Sequence, residues 1–396
     1  MEQIAEEYGT PLYVYDGNKI LDQVERLKSA FPGMPLKLKY ATKALTNPAI
    51  LKLLYKAGIG ADCVSINEIK LAMKAGFEPA KIMFTPNCVD FDEIRQAVKL
   101  GVQINIDNLP FLEKMGEEYG DSVPVCIRIN PHIQAGGNTK IQTGHVGSKF
   151  GISYLQFDSA VEITGRYNMN INGIHIHTGS DILDVDVFLK GAEVVFSAAR
   201  KFKDLQFLDF GSGFKVAYKQ DDVVTDIEEL GSKMSAAFQR FCDEYGRQLE
   251  MWFEPGKFLV SESGYFLTKV NLVKESPACT FLGVNSGLNH LIRPMMYDAY
   301  HEIVNISNPE GKKKVYTVVG YICETDTFGT DRRMSETHEG DILAFKNAGA
   351  YGFMMSSNFN SREKPAEVLI LDGKSQLIRR RETFDDLLHT VVEAEV

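Results

Sequence analysis

The segment Leu36-Lys37-Leu38-Lys39-Tyr40-Ala41 alternates apolar and basic residues, the period-two pattern of a strand with one buried face, and runs out into the tip Thr42-Lys43-Ala44. Further strand-like runs, separated by helical stretches, end near Asp62, Thr85, Asp107, Asn130, His177, Phe210 and Glu254, which makes eight with the first. The early gaps are roughly 20 residues and the later ones roughly 35 to 45, room enough for a crossover helix each time. This alternation predicts an α/β fold, a (β/α)8 barrel over residues 25–263. No six-residue glycine fingerprint follows the first strand, which weighs against an open dinucleotide-binding sheet.

Outside that span the pattern changes. Thr10 to Asp16 reads as a short β-segment, and Lys19 to Ala30 as an amphipathic helix with Ile20, Leu21, Val24 and Leu27 on one face. Pro32, Gly33 and Pro35 break the chain before the first barrel strand. Beyond Gly264, the runs Phe266–Val273, Lys314–Val319, Asp341–Phe345 and Ala366–Leu371 read as strands with turns between them. Residues 264–396 therefore form a β-rich, sandwich- or barrel-like domain, which residues 1–24 are expected to join.

Length and charge narrow the function classes. A chain of 396 residues accommodates a barrel and a smaller second domain. A net charge of −10 argues against a nucleic-acid surface, and the basic run Lys312-Lys313-Lys314 reads as one rim of a solvated turn. No apolar run reaches bilayer length, and the start Met1-Glu2-Gln3 begins no signal peptide. Cys63, Cys88, Cys126, Cys242, Cys279 and Cys323 lack metal-type pairing, so reduced thiols in a cytoplasmic protein are expected.

The strand ends carry the candidate chemistry. Catalytic residues of parallel barrels gather at the carboxyl ends of strands, where Lys43 lies. A desolvated lysine there can form a Schiff base with an aldehyde cofactor, although a surface lysine in a βα loop is the bland alternative. His177-Thr178-Gly179-Ser180, Gly211-Ser212-Gly213 and Glu254-Pro255-Gly256-Lys257 follow the sixth, seventh and eighth strands, where small residues and a cation suit a phosphate. His175 and His177 share a strand face. They read as a metal pair lacking a third ligand, as core histidines, or as cofactor contacts; no metal site is assigned. Glu254 reads as a helix-capping or ion-paired carboxylate, or as the partner of a pyridine nitrogen.

These motifs, in this order, resemble a known family. Tyr8 to Asp16, Tyr40-Ala41-Thr42-Lys43-Ala44, Ala61-Asp62-Cys63-Val64-Ser65, Thr143-Gly144 with Ser148-Lys149-Phe150-Gly151, His175-x-His177-x-Gly179-Ser180, Glu254-Pro255-Gly256, Leu291-Ile292-Arg293-Pro294 with Tyr297, Cys323-Glu324 and Gly349-Ala350-Tyr351 carry the likeness. The chain is similar, over nearly its whole length, to fold-type III pyridoxal-phosphate decarboxylases of the alanine-racemase-like barrel group, and most closely to the diaminopimelate decarboxylase family.

The resemblance implies pyridoxal 5'-phosphate as cofactor. It places Lys43 in the Schiff base, His177 on the ring, Ser180 with Gly211, Ser212 and Gly213 at the phosphate, and Glu254 at the ring nitrogen. Gly256, Lys257 and Tyr351 are further cofactor contacts. Asp62 and Arg128 order the surroundings, or else form a structural ion pair in the barrel mouth. Cys323 is implied as the acid that reprotonates the substrate carbon, and Glu324 as the partner of its far ammonium, both reaching across a homodimer interface. Lys257, Arg293, Tyr297 and Tyr351 complete the substrate contacts.

The implied reaction takes meso-2,6-diaminopimelate to L-lysine and carbon dioxide. Decarboxylases of ornithine, arginine or carboxynorspermidine are the alternative, and a catalytically inactive regulatory relative is the alternative of another class. The chain departs from the family pattern in four places: Lys257 for arginine, Asp181 for glutamine, Thr325-Asp326-Thr327 for serine-glycine-aspartate, and Phe359 for tyrosine. Residues 131–148 are the expected lid.

Overall fold

The computed structural model describes residues 1–394 apart from 134, 137–142 and 220. It divides into two compact units: a barrel unit of residues 21–216 and 223–258, and a β-rich unit of residues 1–20, 217–222 and 259–396. The sequence reading places its boundaries at 24/25 and 263/264 and does not foresee the excursion at 217–222.

In the barrel unit, β2 (Leu36–Ala41), β3 (Gly60–Cys63), β4 (Ile82–Phe84), β5 (Gln103–Ile106), β6 (Val125–Asn130), β8 (Ile171–Ile176), β9 (Phe207–Asp209) and β10 (Glu250–Phe253) follow in chain order, with the short β7 (Ile152–Ser153) between β6 and β8. The eight longer strands are parallel and close on themselves, β10 pairing with β2 and β5 with β6, while β7 adds to β6 outside the ring. This is the (β/α)8 barrel that the alternating pattern predicts.

Cap chemistry sets where the crossover helices begin. Asn47 accepts from the Ala49 N–H at 3.0 Å and starts the helix Pro48–Lys56, with proline in its first turn. Ser65, Asp90, Asn108, Asp184 and Asp226 cap five later helices in the same way. Each cap fixes the length of a strand-to-helix loop, and hence the place of the side chains on that loop.

The barrel interior is filled. Met83, Cys126, Phe207 and Trp252 form a buried cluster in which the Phe207 and Trp252 rings stack at 3.6 Å between centroids. Gly173 on β8 makes room for this stack, since a Cβ there would meet the Phe207 ring at 2.3 Å.

In the β-rich unit, β1 (Leu12–Asp16) lies between β11 (Gly264–Glu275), antiparallel, and β17 (Ala366–Leu371), parallel. Strands β12 (Thr280–Val284), β13 (Ile303–Asn305), β14 (Lys313–Val319), β15 (Thr327–Ser335), β16 (Ile342–Phe345) and β18 (Lys374–Arg379) complete the sheet. Leu12, Val14, Leu267, Ala344 and Val368 are buried together at its centre. Burial of a leucine or valine side chain contributes roughly 1.5–3 kcal/mol, so Leu12 and Val14 help hold this N-terminal strand in the sheet. Among the described residues no helix is long and apolar enough to cross a membrane.

Candidate active site

Lys43 follows β2 in a single tight turn, Thr42–Ala44, held by Thr42 Oγ1 donating to the Asp62 carbonyl at 3.0 Å. Its side chain is 42% exposed, and its Nζ lies 3.5 Å from Oδ2 of Asp62, whose side chain is 1% exposed. Burial, and then the Glu254 charge, raise the Asp62 carboxyl above its usual range, while Lys43 draws it back. Among the described residues Asp62 pairs with Lys43, whereas the Arg128 guanidinium, on β6, lies 4.8 Å from the centre of the Phe150 ring. The structural ion pair between Asp62 and Arg128 is therefore not what the fold builds.

The tips after β8, β9 and β10 form a cup. The Ser212 N–H donates to His177 Nδ1 at 3.3 Å, and Thr143 Oγ1 donates to the His177 carbonyl at 3.0 Å. Burial, then Arg128 and Lys43, push the His177 pKa well below the ordinary histidine value, so its ring is neutral and carries its proton on Nε2. Gly211 has φ +62° and a Cβ there would sit 2.6 Å from both His177 Nδ1 and the Ile176 carbonyl. Gly213, at φ +116°, would place a Cβ 2.4 Å from the Gly179 carbonyl. Both positions need glycine for its conformation and for the close approach. Gly256 allows a third approach, a Cβ there being 3.1 Å from Ala41 Cβ at the end of β2.

Lys257 is buried, and its Nζ donates to Ser180 Oγ at 2.9 Å and pairs with Asp181. Two of the four departures from the family pattern are thus the two ends of one ion pair.

At the base of the cup, Glu254 is buried and its Oε2 lies 3.0 Å from His175 Nε2. His175 Nδ1 lies 3.0 Å from Asn105 Nδ2, and Asp209 approaches from β9 so that His175, Asp209 and Glu254 each offer an atom within 4.8 Å of the others. The sequence reading finds no third ligand beside the histidines; the structure supplies two carboxylates next to His175. Both nitrogens of His175 are engaged in hydrogen bonds at 3.0 Å, one to Asn105 and one to Glu254, so the cluster reads as a hydrogen-bond network.

The β-rich unit holds the other candidates. Arg293 is 7% exposed; its Nη1 donates to His301 Nε2 at 3.2 Å and its Nη2 to the Tyr218 hydroxyl at 3.1 Å. Tyr218 lies in the 217–222 excursion, which explains why that segment belongs to this unit. His301 Nδ1 in turn donates to the Lys346 carbonyl at 2.8 Å. Tyr297 closes the short helix Arg293–Tyr297, and Tyr351 sits at φ +57°, a strained conformation for a bulky residue.

Cys323 and Glu324 are exposed, with Sγ 3.5 Å from Glu324 Oε2 and 3.6 Å from Asn360 Nδ2. Asp326 pins their loop, accepting from the Ile322 N–H at 2.9 Å and the Leu288 N–H at 2.7 Å. The departure at 325–327 thus retains an aspartate, and that aspartate holds the loop in shape. The expected lid, 131–148, includes residues 134 and 137–142, which lie outside the described residues.

Sequence reasoning passes over Asn105, Asp209, Tyr218 and His301. Asp209 opens the very motif that supplies the glycine turn, and its Oδ1 accepts from the Gly211 N–H at 2.9 Å. The other three have no local signal, because each meets its partner across the fold.

The residues present suit pyridoxal phosphate. A reachable lysine amine stands beside a buried acid, two glycines clear backbone from a turn, and Glu254 Oε1 is a buried carboxylate oxygen without a conventional donor.

Comparison with known proteins agrees with this donor set. The family model "pyridoxal-dependent decarboxylase, pyridoxal binding domain" matches residues 17–261. Diaminopimelate decarboxylase of Methanothermobacter thermautotrophicus is 40% identical to the chain, covering 98% of this chain and 92% of that protein. The crystal structure of diaminopimelate decarboxylase from Helicobacter pylori complexed with L-lysine is similar with a TM-score of 0.90 and 33% identity, covering 98% of each chain. A lysine/ornithine decarboxylase from Vibrio vulnificus, complexed with putrescine, shares the fold at a TM-score of 0.81 and 22% identity, over 94% of this chain and 97% of that one.

Proposed function

Since the chain belongs to the pyridoxal-dependent decarboxylases and, within them, to the diaminopimelate decarboxylase family, we propose that it converts meso-2,6-diaminopimelate to L-lysine and carbon dioxide, the last step of lysine synthesis by the diaminopimelate route. The observation that carries the substrate choice is Arg293, a buried guanidinium held in place by His301 and Tyr218. A fixed, planar cation suits a distal carboxylate, which diaminopimelate has and ornithine lacks. The relative from Helicobacter pylori is described as a complex with L-lysine, the product of this reaction.

In this reading Lys43 holds the aldehyde end of the cofactor, His177 its ring face, Glu254 its ring nitrogen, and Ser180, Lys257 and the Gly211-Ser212-Gly213 turn its phosphate. Tyr351 and Gly256 border the same group, and Arg128 sets the charge around it. When bound, pyridoxal phosphate supplies an electron sink for the pair released as the carbon–carboxylate bond breaks.

The chain's own groups do the rest. Asp62, 3.5 Å from Lys43 Nζ, orients the amine and steadies its charged form. Neutral His177 offers a flat, uncharged ring face. Arg293, with Tyr297, binds the distal carboxylate, and Glu324 the distal ammonium. Cys323 delivers a proton to the carbon that has lost its carboxylate and regains one from solvent.

Cys323 and Glu324 are exposed on the β-rich unit, which supports a homodimer whose sites combine Lys43 of one protomer with Cys323 and Glu324 of the other. All six cysteines are free, which supports a reducing, cytoplasmic setting. The test is to supply pyridoxal phosphate with meso-diaminopimelate, ornithine, arginine or carboxynorspermidine and identify the amine formed. Lysine from diaminopimelate alone is expected; turnover of ornithine in its place refutes the substrate assignment.

A further inference from the structure

Beneath the cup lies a set of buried groups that the decarboxylation leaves unused. Asn105 on β5, His175 on β8 and Asp209 on β9 are arranged around Glu254. We propose that Asp209 and His175 are positioning residues for Glu254, Asp209 donating a carboxyl proton to it from one side and His175 an Nε2 proton from the other. Glu254 is then the single carboxylate charge of this cluster. The proposal rests on the reading of the barrel as a pyridoxal-phosphate site.

Asp209 Oδ1 accepts from the Gly211 N–H, but its Oδ2 is buried without a donor, and so is Glu254 Oε1. Two orphaned carboxylate oxygens in one buried cluster are costly apart, and one proton held between them satisfies both. The remaining question is which residue owns that proton.

Burial raises the Glu254 carboxyl above its usual range, against Lys43, Arg128, the Asp209 hydrogen bond and, more weakly, Lys39, which favour its charged form. Asp209 is raised well above its usual range, first by burial and then by the Glu254 charge; Asp62 adds to this, while the Gly211 N–H and Lys39 oppose it. Glu254 Oε2 already faces the His175 Nε2 donor at 3.0 Å, which suits a carboxylate at Glu254, so the shared proton is placed on Asp209. His175 is held neutral, its pKa well below the ordinary value through burial and the Arg128 charge, against the pull of Asp62 and Asp107. Asn105 Nδ2 donates to its Nδ1, so its one proton sits on Nε2 and points at Glu254.

The arrangement ties the two ends of the cofactor site together. Asp209 Oδ1 accepts from Gly211 in the phosphate turn, and under this proposal its other oxygen would donate to Glu254, so a single side chain would link the two.

Asp209→Asn, Asp209→Ala and His175→Ala separate this from a merely structural role. Asparagine keeps an acceptor for the Gly211 N–H and an N–H donor for Glu254 without a charge at any pH. Pyridoxal-phosphate affinity and the pH dependence of the bound cofactor's visible absorption are measured for each variant, with infrared spectra of the cofactor-free proteins. Asp209→Asn should keep the wild-type profile, whereas the alanine variants should lose roughly tenfold in affinity and shift it. Cofactor-free wild type at pH 7.5 should show a protonated-carboxyl band that Asp209→Asn lacks.

Asparagine as damaging as alanine, or no such band, overturns the proposal. Should an alanine variant not fold, Asp209→Asn and the infrared band still decide it. Failure of every protein, wild type included, to bind the cofactor would instead defeat the reading of the barrel, while the band would still report on Asp209.

Discussion

Acid should weaken the β-rich unit through His301, by an amount the structure fixes. His301 is fully buried, and burial, then the Arg293 charge, lower its pKa to about 3, against the bond to the Lys346 carbonyl. In the unfolded chain the same ring titrates near its ordinary value of about 6.5. Its folded pKa is the lower one, so the contribution is present above about 6.5 and is lost as pH falls toward 3, because the unfolded state takes up the proton first. Between pH 7.5 and pH 5 that linkage amounts to about 2 kcal/mol. His290, lowered to about 4 by burial, adds a comparable loss over the same range.

His301→Gln retains an acceptor for Arg293 and cannot titrate, so it should remove only the His301 share. The assay is hydrogen exchange of the β16 amides, corrected for intrinsic rate, at both pH values. The opening constant of wild type should rise roughly thirty-fold more than that of the variant between pH 7.5 and 5. Equal pH slopes in the two proteins, or a His301 ring that titrates near 6.5 by NMR, would refute the reasoning.

Two further outcomes follow from the proposed function. Arg293→Ala should lower the ratio of kcat/KM for diaminopimelate over ornithine by about 2–5 kcal/mol, as expected for loss of a buried charge-assisted pair; an unchanged ratio counts against Arg293 as the carboxylate reader. Lys43→Ala and Cys323→Ala homodimers, each shown to fold and dimerise, should be severely impaired alone yet recover about a quarter of wild-type activity when unfolded and reassembled together, since half the dimers are mixed and each holds one intact site. No recovery despite proven subunit exchange would place Cys323 at its own chain's cofactor.

The barrel is legible in the sequence because each of its strands carries its own signal. Leu36 to Ala41 alternates in polarity, Val125 to Asn130 is mostly apolar between turns, and six of the eight strands are followed by a helix with a side-chain cap. The structure ends all eight within two residues of the expected positions. The β-rich unit is less legible. Four strands, β12, β13, β15 and β18, escape notice, two of them because charge masks the pattern. Thr327–Ser335 contains Asp331, Arg332 and Arg333, and only Leu377 and Ile378 are apolar in Lys374–Arg379. Their pairing with β14 and β17 supplies what local preference does not.

Site residues divide by the same physics. Lys43, Gly211 and Gly213 announce themselves, since a lysine at a strand end and glycines in a tight turn are local demands. Asp209 and Asn105 do not, because their meaning lies in His175 and Glu254, contributed by other strands of the ring. His301 lies eight residues after Arg293, but the helix between them ends at Tyr297, and Asp298 at φ +53° turns the chain; no helical spacing links the two.

Asp181 and Lys257 make the point most sharply. In sequence they are two unrelated departures, one losing an amide and the other a guanidinium. Folded, they form one ion pair beside Ser180, so the acid that replaces the amide is met by the cation that replaces the fork. Aspartate for glutamine alone adds a negative charge to the phosphate cup, while lysine for arginine keeps the charge and changes its shape; together they hold lysine's compact charge where a planar donor would otherwise reach by geometry. A single substitution here is therefore a poor guide to function: Lys257→Arg should be read only beside Asp181→Gln, because the carboxylate left behind would take the new guanidinium for itself.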